Sequence, residues 1–144
     1  MFTLPPSATD DELRAAVSIW FDLVASGDVA AAEDFLNSGP ESLPVMEFIA
    51  RVQQFTAGGK VTPAEQIAID REHVDDLSVD GDVGLVCWWI PGPKSTGKYP
   101  GFIGDVLCTI PVDGAWSDLD ASFYIRELDG RLSLQLRNVI RFED

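Results

Sequence analysis

The sequence is poor in the residues on which most catalytic and metal sites depend. Its 144 residues include one histidine, His73, and two cysteines, Cys87 and Cys108. Any catalytic triad or metal cluster must therefore be built around His73 or without histidine. Both cysteines lie in apolar, strand-like runs, where buried thiols are common, so no disulfide is predicted.

Long apolar runs are also missing. No stretch reaches the ~18 to 20 apolar residues of a membrane-spanning helix, and the first six residues lack the basic start of a secretory signal. A chain of 144 residues can bury one hydrophobic core. We expect a cytoplasmic protein with one domain over residues 1–144, in which residues 1–9 form an extended arm.

Basic residues are scarce as well, with 10 lysines and arginines against 24 acids and a net charge of -14. This balance argues against nucleic acid or an anionic membrane as a partner. The excess is uneven, because Met1 to Ile90 carries -12 and Pro91 to Asp144 carries -2. Two interpretations stay open: the charge serves solubility, or it forms a surface that attracts a basic protein partner.

Three helices are predicted in the first part of the chain. A capping box at Thr9 to Glu12 begins the first helix, and Ser26-Gly27-Asp28 ends it and begins a second helix from Val29 to about Leu36. Ser42 and Pro44 open the third. Apolar residues at helical spacing form the predicted inward stripes: Leu13, Val17, Trp20, Phe21 and Val24, then Phe35 and Leu36, then Val45, Phe48, Ile49, Val52 and Phe55.

Strand-like patterns follow from His73 onward. Residues 74–79 and 83–90 predict a hairpin, residues 91–101 an exposed loop, and residues 103–112 a third strand that ends at Asp113-Gly114. Helices followed by an antiparallel meander indicate an α+β fold. We expect amino-terminal helices packed on one face of a bent antiparallel sheet of four to five strands.

The stretch from Asp118 to Phe142 predicts the closing hairpin. Asp129-Gly130 fits a two-residue type I′ turn, which pairs Leu128 with Arg131. Continuing that register gives both strands a dry face, on which Asn138 lies opposite Ala121. The other face is predicted to be a polar ladder in water, with the pairs Tyr124–Gln135, Ser122–Arg137 and Asp118–Arg141.

Asn138 is the polar exception on the predicted dry face. A buried amide without partners loses roughly 1 to 3 kcal/mol, so Asn138 either ties a helix to the sheet or lines a pocket between helices and sheet. Asp105 and Thr109 share one face of the third strand and could join that pocket. Trp20 could form part of its wall, although aromatic residues at this spacing usually belong to the core.

Other candidate sites have incomplete motifs. His73 lies among acidic residues and is a candidate general base or metal ligand, but no second histidine follows at ligand spacing, and a surface position is the alternative. Gly92 to Lys98 matches the start of a phosphate-binding loop, yet Tyr99 replaces the serine or threonine that holds magnesium. We therefore predict no nucleotide cofactor and no metal.

The break at Ser26-Gly27-Asp28 and the closing strands from Gly114 to Val139 resemble the nuclear-transport-factor-2-like, or cystatin-like, superfold. The ending is similar to that of small bacterial domains of this kind. The resemblance implies a concave sheet over a cavity, which in that superfold serves ketosteroid isomerases, polyketide cyclases and many members without catalysis. No catalytic residue carries over, because the tyrosine and aspartates of the isomerases have no matching positions.

Three functions remain as hypotheses. The first is a non-catalytic binding protein, such as an inhibitor or immunity protein, whose acidic helices meet a basic partner. The second is a small-molecule binder or an isomerase-type enzyme that holds an apolar ligand between helices and sheet. The third is a homodimerisation module that uses the exposed sheet face, so that both monomer and homodimer are open.

Overall fold

The computed structural model describes residues 1–8, 10–39, 42–63, 90–91 and 102–141, with only the backbone described at positions 10, 11, 90, 91, 102, 103 and 105. The helices are α1 (Asp10–Ala25), α2 (Val29–Phe35) and α3 (Val45–Phe55). The strands are β1 (Ile90–Pro91), β2 (Phe102–Val112), β3 (Ala115–Leu128) and β4 (Arg131–Arg141). Helices therefore precede strands, which confirms the predicted α+β class.

The sheet is an antiparallel meander in the order β1-β2-β3-β4. Within the described residues the sheet has three long strands, and β1 is two residues long. The predicted strand at 74–79 and most of the one at 83–90 lie outside the described residues. No helix in the described part of the chain has both the length and the apolar character that crossing a membrane requires.

The break between α1 and α2 forms by two local devices. Gly27 takes a φ of 83°, a left-handed conformation that ends α1 without a side-chain clash. The carboxylate of Asp28 then accepts a hydrogen bond of 3.0 Å from the backbone N–H of Ala31, which caps α2. The break predicted at Ser26-Gly27-Asp28 is therefore confirmed, because both devices depend on neighbouring residues alone.

The core lies between the helices and one face of the sheet. Most of the predicted helical stripe residues are buried there: Leu13, Val17, Trp20, Phe21, Val24, Leu36, Val45, Phe48 and Val52. Phe55 is an exception with 41% of its surface exposed, because it is the last residue of α3, beyond the last buried position at Val52. Ser18 on α1 does not belong to the predicted stripe but is also buried, at 6% exposure.

Two tight turns connect the long strands. Asp113 and Gly114 have φ angles of 52° and 80°, and Asp129 and Gly130 have 53° and 74°. Positive φ at both central residues is the mark of a type I′ turn, whose twist matches that of the flanking strands. The predicted hairpin turn at Asp129-Gly130 is confirmed.

The predicted register of the closing hairpin is correct only near its turn. Leu128 pairs with Arg131, and Phe123 still pairs with Leu136. Between Phe123 and Ser122 the pairing shifts, so that Arg137 is an extra residue on β4. Such a bulge turns every later side chain of that strand to the other face.

Because of this bulge, the predicted pairing of Asn138 with Ala121 is wrong. Asn138 pairs with Ser122 and is exposed, while Val139 pairs with Ala121 and is buried at 6% exposure. The dry face therefore stays apolar along this part of the hairpin.

Candidate binding surfaces

Trp20 lies at the centre of the core between helices and sheet. Its ring centroid is 5.0 Å from that of Phe48 and 5.4 Å from that of Phe123, with edge-to-face geometry in both pairs. Its indole Nε1 donates a hydrogen bond of 3.2 Å to the carbonyl oxygen of Ala32. Trp20, Phe48, Phe123 and Leu136 are all fully buried, so this space is occupied by side chains.

A shallow cleft lies at another edge of the core. It leaves no space for the centre of a water molecule. Its lining is mostly apolar and comes from the arm, α1 and the closing hairpin: Phe2, Leu4, Leu13, Ile125, Leu132, Ser133 and Leu134. A drug-sized ligand needs at least ~300 Å³, so the cleft is too small for one as it stands.

Asn138 is exposed on β4 and accepts two hydrogen bonds. Its Oδ1 accepts hydrogen bonds from Arg51 Nη1 at 2.7 Å and from the backbone N–H of Val139 at 2.9 Å. Arg51 in turn forms an ion pair of 3.0 Å with Glu47 on the same helix. Asn138 thus ties α3 to β4, which is one of the two roles predicted for it, although it does so from an exposed position.

Thr109 and Trp20 lie on opposite faces of the sheet. Thr109 is buried and pairs with Asp120, which is also buried, and both alternate with the residues that contact the helices. The backbone of Asp105 pairs with Tyr124 and Ile90, and its side chain lies outside the described residues. Trp20, Thr109 and Asn138 are therefore not gathered around one cavity.

The other residues singled out in the sequence are His73, the two cysteines and the loop after Pro91. His73, Cys87 and the loop at 92–101 lie outside the described residues, and Cys108 is fully buried. Within the residues that are described, no three histidine, cysteine, aspartate or glutamate side chains come together as metal ligands.

The face predicted to be wet is partly closed. Gln135 and Ser133 are each only 2% exposed. Gln135 Nε2 donates to Ser42 Oγ at 2.9 Å, and Asn37 Nδ2 donates to Ser133 Oγ at 3.1 Å. The segment between α2 and α3 therefore satisfies this part of the sheet face, so the prediction of a ladder in water is wrong for Gln135.

Other polar residues of that face contact one another. Arg126 Nε donates a hydrogen bond to Gln135 Oε1, and the guanidinium of Arg137 lies 4.6 Å from the centre of the Tyr124 ring. Arg141 pairs with Leu119, so the predicted placement of Asp118 directly opposite Arg141 is wrong, but the two side chains still form an ion pair of 3.1 Å. Cation–π contacts and surface ion pairs of this kind hold side chains in place with small energies.

Acids outnumber bases on the helical side of the molecule. Between Arg14 and Arg51 the sequence has six acids and no lysine or arginine. None of the three helices has a basic residue in its last turn. We call the exposed acids Glu12, Asp28, Asp34 and Glu47 the acidic helical surface.

One acid of this region has a structural role that the sequence reading missed. Glu33 on α2 accepts a hydrogen bond at Oε1 from the backbone N–H of Val45, the first residue of α3. Pro44 precedes Val45 and offers no side-chain cap of its own. Glu33 therefore caps a helix 12 residues away, a relation that no local motif reveals.

Comparison with protein-family models, with curated proteins and with solved structures finds no match to this chain.

Proposed function

We propose that the protein is a non-catalytic binding protein whose acidic helical surface meets a basic protein partner. The observation that carries this proposal is the charge asymmetry: a net charge of -12 from Met1 to Ile90, with no base between Arg14 and Arg51. In the described helices, Glu12, Asp34 and Glu47 are exposed, and Glu47 is also paired with Arg51.

The electrostatic argument has two parts. A surface of one sign raises the association rate of an oppositely charged partner and excludes partners of the same sign. The carboxyl ends of helices also carry partial negative charge, which a basic side chain in the last turn normally offsets. Since none of the three helices has such a residue, their ends add to the negative field.

The packing between helices and sheet supports the non-catalytic part of the proposal. An enzyme of the isomerase or cyclase type needs an open cavity in this place, into which polar groups point. Here Trp20 contacts Phe48 and Phe123, and all three side chains are fully buried. A bound apolar ligand at this position would have to displace core aromatic rings.

We also infer that the architecture is of the nuclear-transport-factor-2-like, or cystatin-like, kind. Three helices precede an antiparallel meander, and α1 packs through Trp20 against Phe123 at the middle of β3. An experimentally determined structure of the whole chain tests this inference. A sheet without a concave face toward α1 would contradict it.

The proposed function is tested by affinity capture from the source cell at low and high salt, followed by mass spectrometry. The protein should retain basic proteins at low salt and release them at high salt, because screening weakens attraction between exposed charges. Absence of any salt-sensitive protein partner would remove the basis of the proposal.

A matched pair of variants locates the binding surface. Glu12→Gln with Asp34→Asn removes two charges from the acidic helical surface, while Asp118→Asn with Glu127→Gln removes two from β3. The helical variant should lose most of the captured protein and the strand variant should keep it. Equal loss in both variants would show that net charge alone, and not this surface, is responsible.

A further inference from the structure

The outer edge of β4 is covered by short pieces of the same chain. An uncovered edge strand offers free backbone groups to any other strand. Here the carbonyl oxygens of Leu134 and Leu136 accept hydrogen bonds of 2.8 and 2.9 Å from the backbone N–H groups of Asn37 and Leu43. Near the bulge, the N–H of Val139 bonds to the side chain of Asn138.

The first part of the edge is covered by Met1–Leu4, and the name arm is used for these four residues from here on. Leu4 and Leu132 exchange both backbone hydrogen bonds at 2.8 Å, as residues paired in a sheet do. The Phe2 ring stacks on Phe35 with centroids 4.6 Å apart and planes 6° apart. Arg131 Nε also donates to Thr3 Oγ1 at 3.1 Å.

The linker from the arm to α1 contains a tight turn. Ala8 N–H donates to the carbonyl oxygen of Pro5 at 3.0 Å, which folds the linker back on itself. Opening that turn extends the linker, and the six residue steps from Leu4 to Asp10 can then span ~20 Å. Pro5 and Pro6 favour the extended form, since proline fixes φ near the polyproline value.

We propose that the seat of the arm on β4 also accepts the arm of a second copy of this chain, which gives an arm-exchanged dimer. The exchanged arm makes the same contacts with Leu132, Phe35 and Arg131 as the chain's own arm, so exchange alters only the linker, the association entropy and the repulsion between two copies of net charge -14. The side chains of Met1 to Leu4 are uncharged, and Thr3 contacts Arg131. An exchanged arm therefore adds no acidic side chain to the surface of the other copy.

A disulfide trap distinguishes the chain's own arm from an exchanged one. Residues 4 and 132 are a hydrogen-bonded pair with α-carbons ~5.5 Å apart, which is within the range of a disulfide. The double variant Leu4→Cys with Leu132→Cys, made with Cys87→Ser, is oxidised at increasing protein concentration. Disulfide-linked dimer should rise with concentration by mass action, on a non-reducing gel.

Cross-links confined to single chains at every concentration up to ~1 mM would overturn the proposal. The single variant Leu4→Cys controls for random collision and should give much less dimer. Dimer from the single variant equal to that from the double variant would also overturn it.

Changing the linker tests the same proposal without cysteines. Deleting Ser7 prevents the turn between Pro5 and Ala8, so the chain's own arm cannot reach its seat and sedimentation should give a dimer mass. Inserting two glycines after Ser7 should give a monomer mass. Adding Phe2→Ser to the deletion should restore the monomer, because it removes the ring that stacks on Phe35. A dimer that persists in this combined variant would contradict arm exchange. A monomer mass for both the deletion variant and the insertion variant would contradict it as well.

Discussion

The helical region and the closing sheet differ in how they use charged residues. In the helices, acids stand without bases over the stretch between Arg14 and Arg51, and several of them face solvent. In the sheet, arginines pair with neighbours: Arg126 bonds Gln135, Arg137 covers Tyr124 and Arg141 bonds Asp118. The difference teaches that charge in the sheet serves contacts within the fold, whereas the helices carry more acids than bases even though several of these acids cap helices or pair with Arg51.

Removing the side chain that joins the two regions should have the largest effect. Trp20→Ala deletes an indole that contacts both Phe48 and Phe123 and should lower the free energy of unfolding by about 3 to 5 kcal/mol. Urea denaturation measures this change. The matched variant Ile19→Ala, at a residue that is 45% exposed, should change it by less than about 1 kcal/mol. Similar losses in both would contradict the packing described for Trp20.

Breaking the cap between two helices comes next. Glu33→Ala leaves the N–H of Val45 without its partner and should cost about 1 to 2 kcal/mol in thermal or urea denaturation. Asp34→Asn, at the next residue, removes a charge without removing a cap and serves as the control. If Asp34→Asn destabilised the protein as much as Glu33→Ala, the cap would not be the cause.

The contact between α3 and the bulge should be worth less. Asn138→Ala removes the acceptor for Arg51 and Val139 and should cost about 1 kcal/mol. A double-mutant cycle with Arg51→Ala should give a coupling free energy of about 0.5 kcal/mol or more, since the two side chains are in direct contact. Strict additivity would mean that this hydrogen bond is not formed in solution.

The smallest expected effect differs in sign between the two regions. Asp34→Asn should raise the midpoint of thermal unfolding slightly at low salt, because it removes an acid from the carboxyl end of α2 and relieves repulsion among like charges. Asp118→Asn should lower it, because it removes the partner of Arg141. Each variant should change the free energy of unfolding by no more than about 0.5 kcal/mol, and both effects should shrink at high salt. The same sign for both variants would contradict the contrast drawn between helices and sheet.

Local features of the fold were predictable from the residues themselves. The Gly27 end of α1, the Asp28 cap of α2 and the turn at Asp129-Gly130 depend on a few neighbouring residues and agree with the structure. The apolar stripes were predicted for the same reason, except at the helix end, where Phe55 is exposed. The order of helices and strands then follows from the order of these periodicities.

Features that depend on distant residues were not predictable in this way. The bulge at Arg137 is set by how β4 fits against β3, and one extra residue was enough to move Asn138 from the predicted dry face to an exposed position. The burial of Gln135 depends on Ser42, 93 residues away in the chain. A candidate pocket built on the assumption of an unbroken register therefore placed Asn138 on the wrong face.

The sequence by itself determined the α+β class, the three helices, the tight turns and the uneven charge, because each follows from composition or from contacts within a few residues. The tertiary structure alone decided which polar groups are buried, which edge of the sheet is covered and which acid caps a distant helix. The physical reason is that hydrogen bonds and packing across the fold join residues such as Leu4 and Leu132, whose proximity has no local signal in the sequence.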